Sequence, residues 1–175
     1  MLAAYYDRGM NETAVFEYYV RQLPPSRGFL VAAGLEQALE FLENLRFEEE
    51  ELRWLRDCGR FRPEFVAALE NTRFTGEVWA PPEGTILFPN EPILQVVAPL
   101  REAQLVETRL INILHFQTMI ASKAARCVLA APGALLVDFG LRRAHGAEAG
   151  LMAARATYLA GFAGTSTVLA EPMFG

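Results

Sequence analysis

Two short stretches late in this 175-residue chain hold the residue types that could do chemistry. The first is Asp138-Phe139-Gly140-Leu141-Arg142-Arg143-Ala144-His145-Gly146, which gathers an aromatic ring, two guanidinium groups and an imidazole. Arginine pairs with carboxylates and phosphates through a planar fork of donors. A phenylalanine ring stacks on flat ligands. Gly140 and Gly146 let backbone approach a bound molecule. The second stretch, Gly164-Thr165-Ser166-Thr167, offers hydroxyls and amides suited to phosphate or carboxylate. It lacks the lysine of a nucleotide-hydrolysing phosphate loop. Together the two stretches read as a site for a flat, anionic ligand. A plain charged surface, with Asp138 paired to Arg142 or Arg143, would have the same composition, and spacing alone leaves both readings open. His145 reads as a structural histidine, because no serine or cysteine elsewhere completes a catalytic triad.

The elements that must position these residues follow from periodicity. Residues 134–139 (ALLVDF) predict a short buried strand, 140–146 a loop, and 147–161 an alanine-rich helix. Residues 164–168 predict a second strand, and 169–174 a short helix. This β–loop–α–β order opens either an α/β barrel or an open parallel sheet. In barrels, the residues just past each strand's C-terminal end line the site, which is where both stretches fall. Upstream, 101–130 predicts one long helix stopped by Pro132-Gly133. At about 100° per residue, Arg101, Gln104, Thr108, Asn112, His115, Ser122 and Arg126 share one stripe, interrupted by Met119. That stripe is either a solvated face or a polar wall beside a cavity or subunit interface.

The first hundred residues predict an α+β unit. Residues 1–8 read as the end of a helix closed by Gly9, and 14–23 as a strand ended by Pro24-Pro25-Ser26. Residues 30–47 read as an amphipathic helix, with Leu35, Leu39 and Leu42 on one face. Helices are also predicted over 48–57, stopped by Gly59, and over 63–71, with proline first. Short β-rich runs at 76–80, 84–88 and 93–98, separated by proline-rich turns, predict an antiparallel meander. The chain therefore divides into an N-terminal α+β domain (1–100), a connecting helix (101–131) and the start of an α/β domain (132–175).

Composition limits the function classes. With 52% hydrophobic and 21% charged residues, the chain is too apolar to be disordered. A net charge of −5 argues against general nucleic-acid binding. Cys58 and Cys127 form neither a disulfide framework nor a metal motif with a histidine, so a reducing cytoplasm is expected. No signal peptide is visible. The most apolar stretch, 110–131, is broken by His115, Gln117, Lys123 and Arg126, so no membrane span is expected.

Three segments resemble the nicotinate phosphoribosyltransferase family. FEYYVRQLPPSRGFLVAAGLEQALEFL (16–42) is similar to the family's strand and following helix. ETRLINILHFQTMIASKAARCVLAA (107–131) is similar to its long connecting helix. DFGLRRAHG (138–146), followed by AARATYLAGFAGTSTVLA (153–170), resembles its signature around the base site. The resemblance implies an α+β N-terminal domain followed by an irregular, TIM-like α/β barrel. It implies synthesis of nicotinate mononucleotide from nicotinate and phosphoribosyl pyrophosphate, coupled to ATP, with Mg2+ on the pyrophosphate, in a cytoplasmic homodimer.

The resemblance also implies residue roles. Phe139 matches the ring that stacks on the pyridine, and Arg142 matches the motif arginine on the base and phosphate side. Arg143 is a weaker match, and Thr165 belongs to the same strand-end loop. Ser166 stands where nicotinamide-using relatives carry an aspartate, which would repel a carboxylate. Ser166 therefore favours nicotinate over nicotinamide. At His145 family members often carry glutamine. The family's phosphorylated histidine is expected beyond Gly175, and a tyrosine segment before Met1, so this chain is expected to be inactive alone. A related quinolinate or nicotinamide enzyme, or a non-catalytic truncated dimerisation module, are the alternatives.

Overall fold

The computed structural model describes residues 1–175. In chain order the elements are α1 (Leu2–Asp7), β1 (Thr13–Tyr19), β2 (Leu30–Val31), α2 (Leu35–Glu43), α3 (Glu49–Asp57), α4 (Pro63–Leu69), β3 (Glu77–Trp79), β4 (Ile86–Leu87), β5 (Pro92–Pro99), α5 (Leu100–Ala130), β6 (Val137–Asp138), a 3-10 turn (Leu141–Arg143), α6 (Ala147–Leu159), β7 (Gly164–Thr165) and α7 (Ala170–Phe174). They form two compact units, each assembled from separated stretches of chain.

One unit comprises Met1–Tyr18, Glu36–Trp79 and Leu94–Ile111. Its helices form where local signals place them. α3 opens on a capping-box contact in which the Glu48 amide donates to the Glu51 carboxylate at 2.8 Å. α4 carries Pro63 at its first position, where no amide is needed. Their apolar faces meet in a core of Leu52, Phe65, Val66 and Leu69. Tyr6 and Phe61 pack on the Phe65 ring at 5.2 and 5.5 Å. β1 alternates exposed and half-buried residues with period two. β5 lies between β1 and β3, and Val96 stands opposite Val78 in the antiparallel β3–β5 pair.

The second unit comprises Tyr19–Leu35, Ala80–Ile93 and Asn112–Gly175. Two expectations are corrected here. The helix predicted over 30–47 begins only at Leu35, because Leu30 and Val31 form β2. Leu30 through Ala33 are all buried, and a short unbroken apolar run does not distinguish strand from helix by periodicity. Gly34, at φ +98°, then turns the chain into the helix. The expected meander is also wrong. β4 pairs antiparallel with β2, with Leu30 opposite Leu87 and Val31 opposite Ile86. The Gly84 amide donates to the Ala32 carbonyl and the Ala32 amide to the Thr85 carbonyl, so this stretch's backbone groups are claimed by β2 rather than by β3 or β5.

The polar stripe of α5 splits in character. Thr108, Asn112 and His115 are exposed, whereas Ser122 is fully buried. Burial of Ser122 is compensated: its hydroxyl accepts from the Val31 amide at 2.8 Å and donates to the Thr118 carbonyl. Thr118, also buried, exchanges hydrogen bonds with the Ala33 amide and carbonyl. These hydroxyls satisfy backbone that would otherwise be orphaned in the core.

β6 and β7 are parallel, with Val137 opposite Gly164 and Asp138 opposite Thr165, and α6 is the crossover between them. The β–loop–α–β expectation is borne out in order and direction. The predicted strand over 134–139 is shorter and is not buried. Leu135, Val137 and Phe139 lie on one exposed face, and only the alternate residues Leu136 and Asp138 are half-buried. No helix is long and apolar enough to cross a membrane.

Candidate ligand site at two strand ends

Parallel pairing brings the two chemistry-bearing stretches to the same end of the β6–β7 ladder. Asp138 ties them together. Its Oδ1 accepts the Gly140 amide at 2.9 Å, and its Oδ2 accepts the Thr165 hydroxyl at 3.2 Å. Its carbonyl accepts the Ser166 amide at 2.9 Å. The expected alternative, an ion pair between Asp138 and Arg142 or Arg143, does not form, because both carboxylate oxygens are engaged locally. A Cβ at Gly140 would lie 2.8 Å from Asp138 Oδ1, so a larger residue there would push the carboxylate away from its partners.

Phe139 is 65% exposed, and Arg142, Arg143 and His145 are exposed beside it on the 3-10 turn and its flank. Thr165 is half-buried and Ser166 exposed. Below them, the Thr165 hydroxyl accepts the Thr167 amide at 3.1 Å, and the buried Thr167 hydroxyl has no hydrogen-bond partner. The arrangement thus offers a ring, two cations and the Ser166 side chain to solvent, on a hydrogen-bonded base that engages the Thr165 hydroxyl. Such a surface can stack on a flat ligand and pair with its negative charge. No group of three or more His, Cys, Asp or Glu side chains is placed to hold a metal ion.

A second polar centre lies within the same unit and was not singled out by sequence. Arg155, on α6, makes a bidentate pair with Glu83, Nη1 to Oε1 at 2.9 Å and Nη2 to Oε2 at 2.6 Å. The two side chains are only 10% and 17% exposed. Arg155 Nη1 also reaches Gln117 Oε1 at 3.4 Å, and Gln117 is itself buried. Glu83 Oε1 further accepts the amides of Gly34 and Leu35, at the point where α2 begins. Burial by itself would raise the Glu83 carboxyl, but the Arg155 guanidinium and the two amides outweigh it and hold it below the ordinary glutamate value. One sequence signal could have exposed this centre: Arg155 is the only charged residue between Glu148 and Glu171, in an alanine-rich helix.

A parallel strand pair with a helical crossover, carrying a ring, guanidinium groups and hydroxyls past its strand ends, is an α/β arrangement whose strand ends are the candidate ligand site. Residues 1–115 match the nicotinate phosphoribosyltransferase (NAPRTase) N-terminal domain. The chain belongs to the nicotinate phosphoribosyltransferase family. It is 55% identical over 175 residues to nicotinate phosphoribosyltransferase pncB2 of Mycobacterium tuberculosis, covering 100% of this chain and 38% of that protein. It is 43% identical to the nicotinate phosphoribosyltransferase of Bacillus subtilis, over 99% of this chain and 36% of that protein. The crystal structure of human nicotinic acid phosphoribosyltransferase matches with a TM-score of 0.90 and 35% identity, over 99% of this chain and 36% of the human one. The chain thus spans 36–38% of the length of these relatives.

Proposed function

We propose that this chain supplies the base-recognition part of a nicotinate phosphoribosyltransferase. In the reaction, the pyridine nitrogen of nicotinate forms a bond to the ribose C1 of phosphoribosyl pyrophosphate. The bond from that carbon to pyrophosphate breaks, and pyrophosphate leaves with its electron pair. Phe139 stacks on the pyridine ring. Arg142 pairs with negative charge on the base and phosphate side, with Arg143 beside it. Ser166 donates its hydroxyl to the ring carboxylate, and Thr165, whose hydroxyl donates to Asp138 and accepts the Thr167 amide, holds the loop that presents it. Ser166 accepts a nicotinate carboxylate where an aspartate would repel it. The observation that carries this reading is the Asp138 clamp, which holds the loop bearing Phe139 and the loop bearing Thr165 and Ser166 at one end of a parallel pair.

ATP coupling and Mg2+ belong to the same proposal. Mg2+ neutralises pyrophosphate charge when bound. Mg2+ of this kind is held mainly by phosphate oxygens and water, and no residue of this chain is assigned to it. The division into a domain over 1–100, a connecting helix over 101–131 and the start of a barrel over 132–175 is retained as part of the reading. An irregular α/β barrel is supported by the parallel β6–β7 pair joined through the α6 crossover. A cytoplasmic homodimer completes the proposal.

The test is product formation. Purified protein carrying this chain at the full length of its relatives, given nicotinate, phosphoribosyl pyrophosphate, ATP and Mg2+, should yield nicotinate mononucleotide, whereas the 175-residue chain alone should not, and F139A and R142A in the longer protein should each raise the KM for nicotinate. Failure of the parent protein to form product, or its equal use of nicotinamide, would overturn the reading.

A further inference from the structure

α6 packs mostly through small residues, with Leu151 the one large buried side chain, set against Ala170 and Phe174. Ala154 and Ala156 are buried, and Ala156 clusters with Ala121, Val31 and Ala33. Such a face allows close approach but presents few projecting ridges to lock a helix along its axis. The directional contact is the Arg155–Glu83 pair, with both guanidinium nitrogens on both carboxylate oxygens. Glu83 is anchored in turn by the Gly34 and Leu35 amides. That anchor has little room to shift: a Cβ at Gly34 would lie 3.1 Å from the Ile113 carbonyl oxygen and 3.2 Å from Gln117 Nε2.

Both ends of α6 are coupled to the strand-end loops. Near its start, Gly150 lies so close to Leu141 of the 3-10 turn that a Cβ would overlap the leucine side chain. Beyond its end, the Ala163 amide donates to the Leu136 carbonyl at 2.8 Å, one residue before β6 and β7 begin. Because the two contacts lie at opposite ends of α6, a tilt of the helix moves the loop over 139–143 and the loop over 164–166 by different amounts and so changes their spacing.

We propose that Glu83 and Arg155 are positioning residues for base recognition: their buried pair sets where α6 sits, and thereby the spacing between Phe139 and Arg142 on one loop and Thr165 and Ser166 on the other. This rests on the functional reading above for its ligand. Buried ion pairs contribute little net stability compared with apolar pairs of the same volume, and in some proteins they supply conformational specificity instead.

The experiment compares the parent protein with E83Q and with the apolar double variant E83M/R155M. The double variant removes the unpaired buried charge that a single change leaves, while E83Q keeps a side-chain oxygen for the Gly34 and Leu35 amides, so an effect shared by both variants belongs to the ion pair and not to those two bonds. Both variants should raise the KM for nicotinate about tenfold, a modest share of what an ångström of misplacement can cost. The KM for phosphoribosyl pyrophosphate and kcat should stay within about twofold. A pair that served only folding would instead lower kcat through the active fraction and leave KM unchanged, and that result overturns the proposal.

Hydrogen exchange reads the same effect without activity. The Gly140 and Ser166 amides, both bonded to Asp138, should exchange faster in E83M/R155M, while amides of the Leu52–Phe65 core keep their rates. Unchanged exchange at Gly140 and Ser166 overturns the positioning role. Faster exchange in E83M/R155M, together with a parent protein that forms no nicotinate mononucleotide, overturns the functional reading and leaves the positioning of the two loops standing.

Discussion

The Asp138 carboxylate spans the ends of two strands, taking the Gly140 amide on one oxygen and the Thr165 hydroxyl, 27 residues further on, at 3.2 Å on the other. A strand-end aspartate here does the work of a clamp and not of an ion-pair partner. Replacing it with alanine leaves the Gly140 amide and the Thr165 hydroxyl without their acceptor, which costs about 1–3 kcal/mol where such groups are partly buried. D138A should lower the urea midpoint accordingly and raise the KM for nicotinate more than it lowers kcat. An unchanged midpoint would show that water replaces the carboxylate at no cost.

Acid should weaken the unit that contains Glu83. Its carboxyl lies below the ordinary range in the folded protein, chiefly because the Arg155 guanidinium and the Gly34 and Leu35 amides overcome the upward push of burial. A carboxyl depressed on folding adds stability that is fully present above its unfolded value, about 4.3 for glutamate, and is lost as pH falls through the lower folded value. Urea unfolding of the parent protein from pH 7 to pH 3 should show this loss below about pH 4.3. E83Q should be less stable at pH 7, and its acid loss should be smaller than the parent's. Parallel profiles for the two proteins would remove Glu83 from the account.

Gly76 is required for steric reasons, since its φ does not lie in the left-handed region. A Cβ there would sit 2.6 Å from the Val97 carbonyl oxygen and would overlap the Ala98 side chain. Backbone and a buried methyl cannot move aside cheaply. G76A should destabilise by about 1–3 kcal/mol, as overpacked cores do, measured as a shift in the denaturant midpoint with little change in slope. By contrast G133A, whose added Cβ meets nothing within 4 Å, should pay only for its backbone at φ +78°.

Base choice should follow Ser166. Its side chain is exposed at the end of β7, so S166D adds a carboxylate without crowding. The added charge should lower kcat/KM for nicotinate at least about tenfold, through like-charge repulsion, and should spare nicotinamide. Competition between the two bases in one reaction measures the ratio directly, and an unchanged ratio would place the discriminating group elsewhere.

Much of this was legible in the residues themselves. The capping box at Glu48 and Glu51, the proline at 63 and the stop at Pro132-Gly133 each act within a few residues, so α3, α4 and α5 form where local signals put them. The strand–loop–helix–strand order around Phe139, Arg142 and Ser166 was equally local, and the motif carried the family. Other features depended on partners far along the chain. Whether Leu30 and Val31 were helix or strand was decided by Leu87 and Ile86, some 55 residues away, and by the buried hydroxyls of Thr118 and Ser122. The meander failed for the same reason, since β4 found its hydrogen bonds on β2. Asp138 met Thr165 rather than Arg142 because parallel pairing set the two side by side. Glu83 and Arg155 lie 72 residues apart, and no spacing rule joins a turn glutamate to a lone arginine in a helix. The sequence by itself determined the locally signalled helices, the β–loop–α–β order and the chemistry they carry, because caps, prolines and periodicity act within a turn or two. Only the tertiary structure decided strand partners and buried charge pairs, because those depend on which desolvated groups are left to satisfy one another once the core closes.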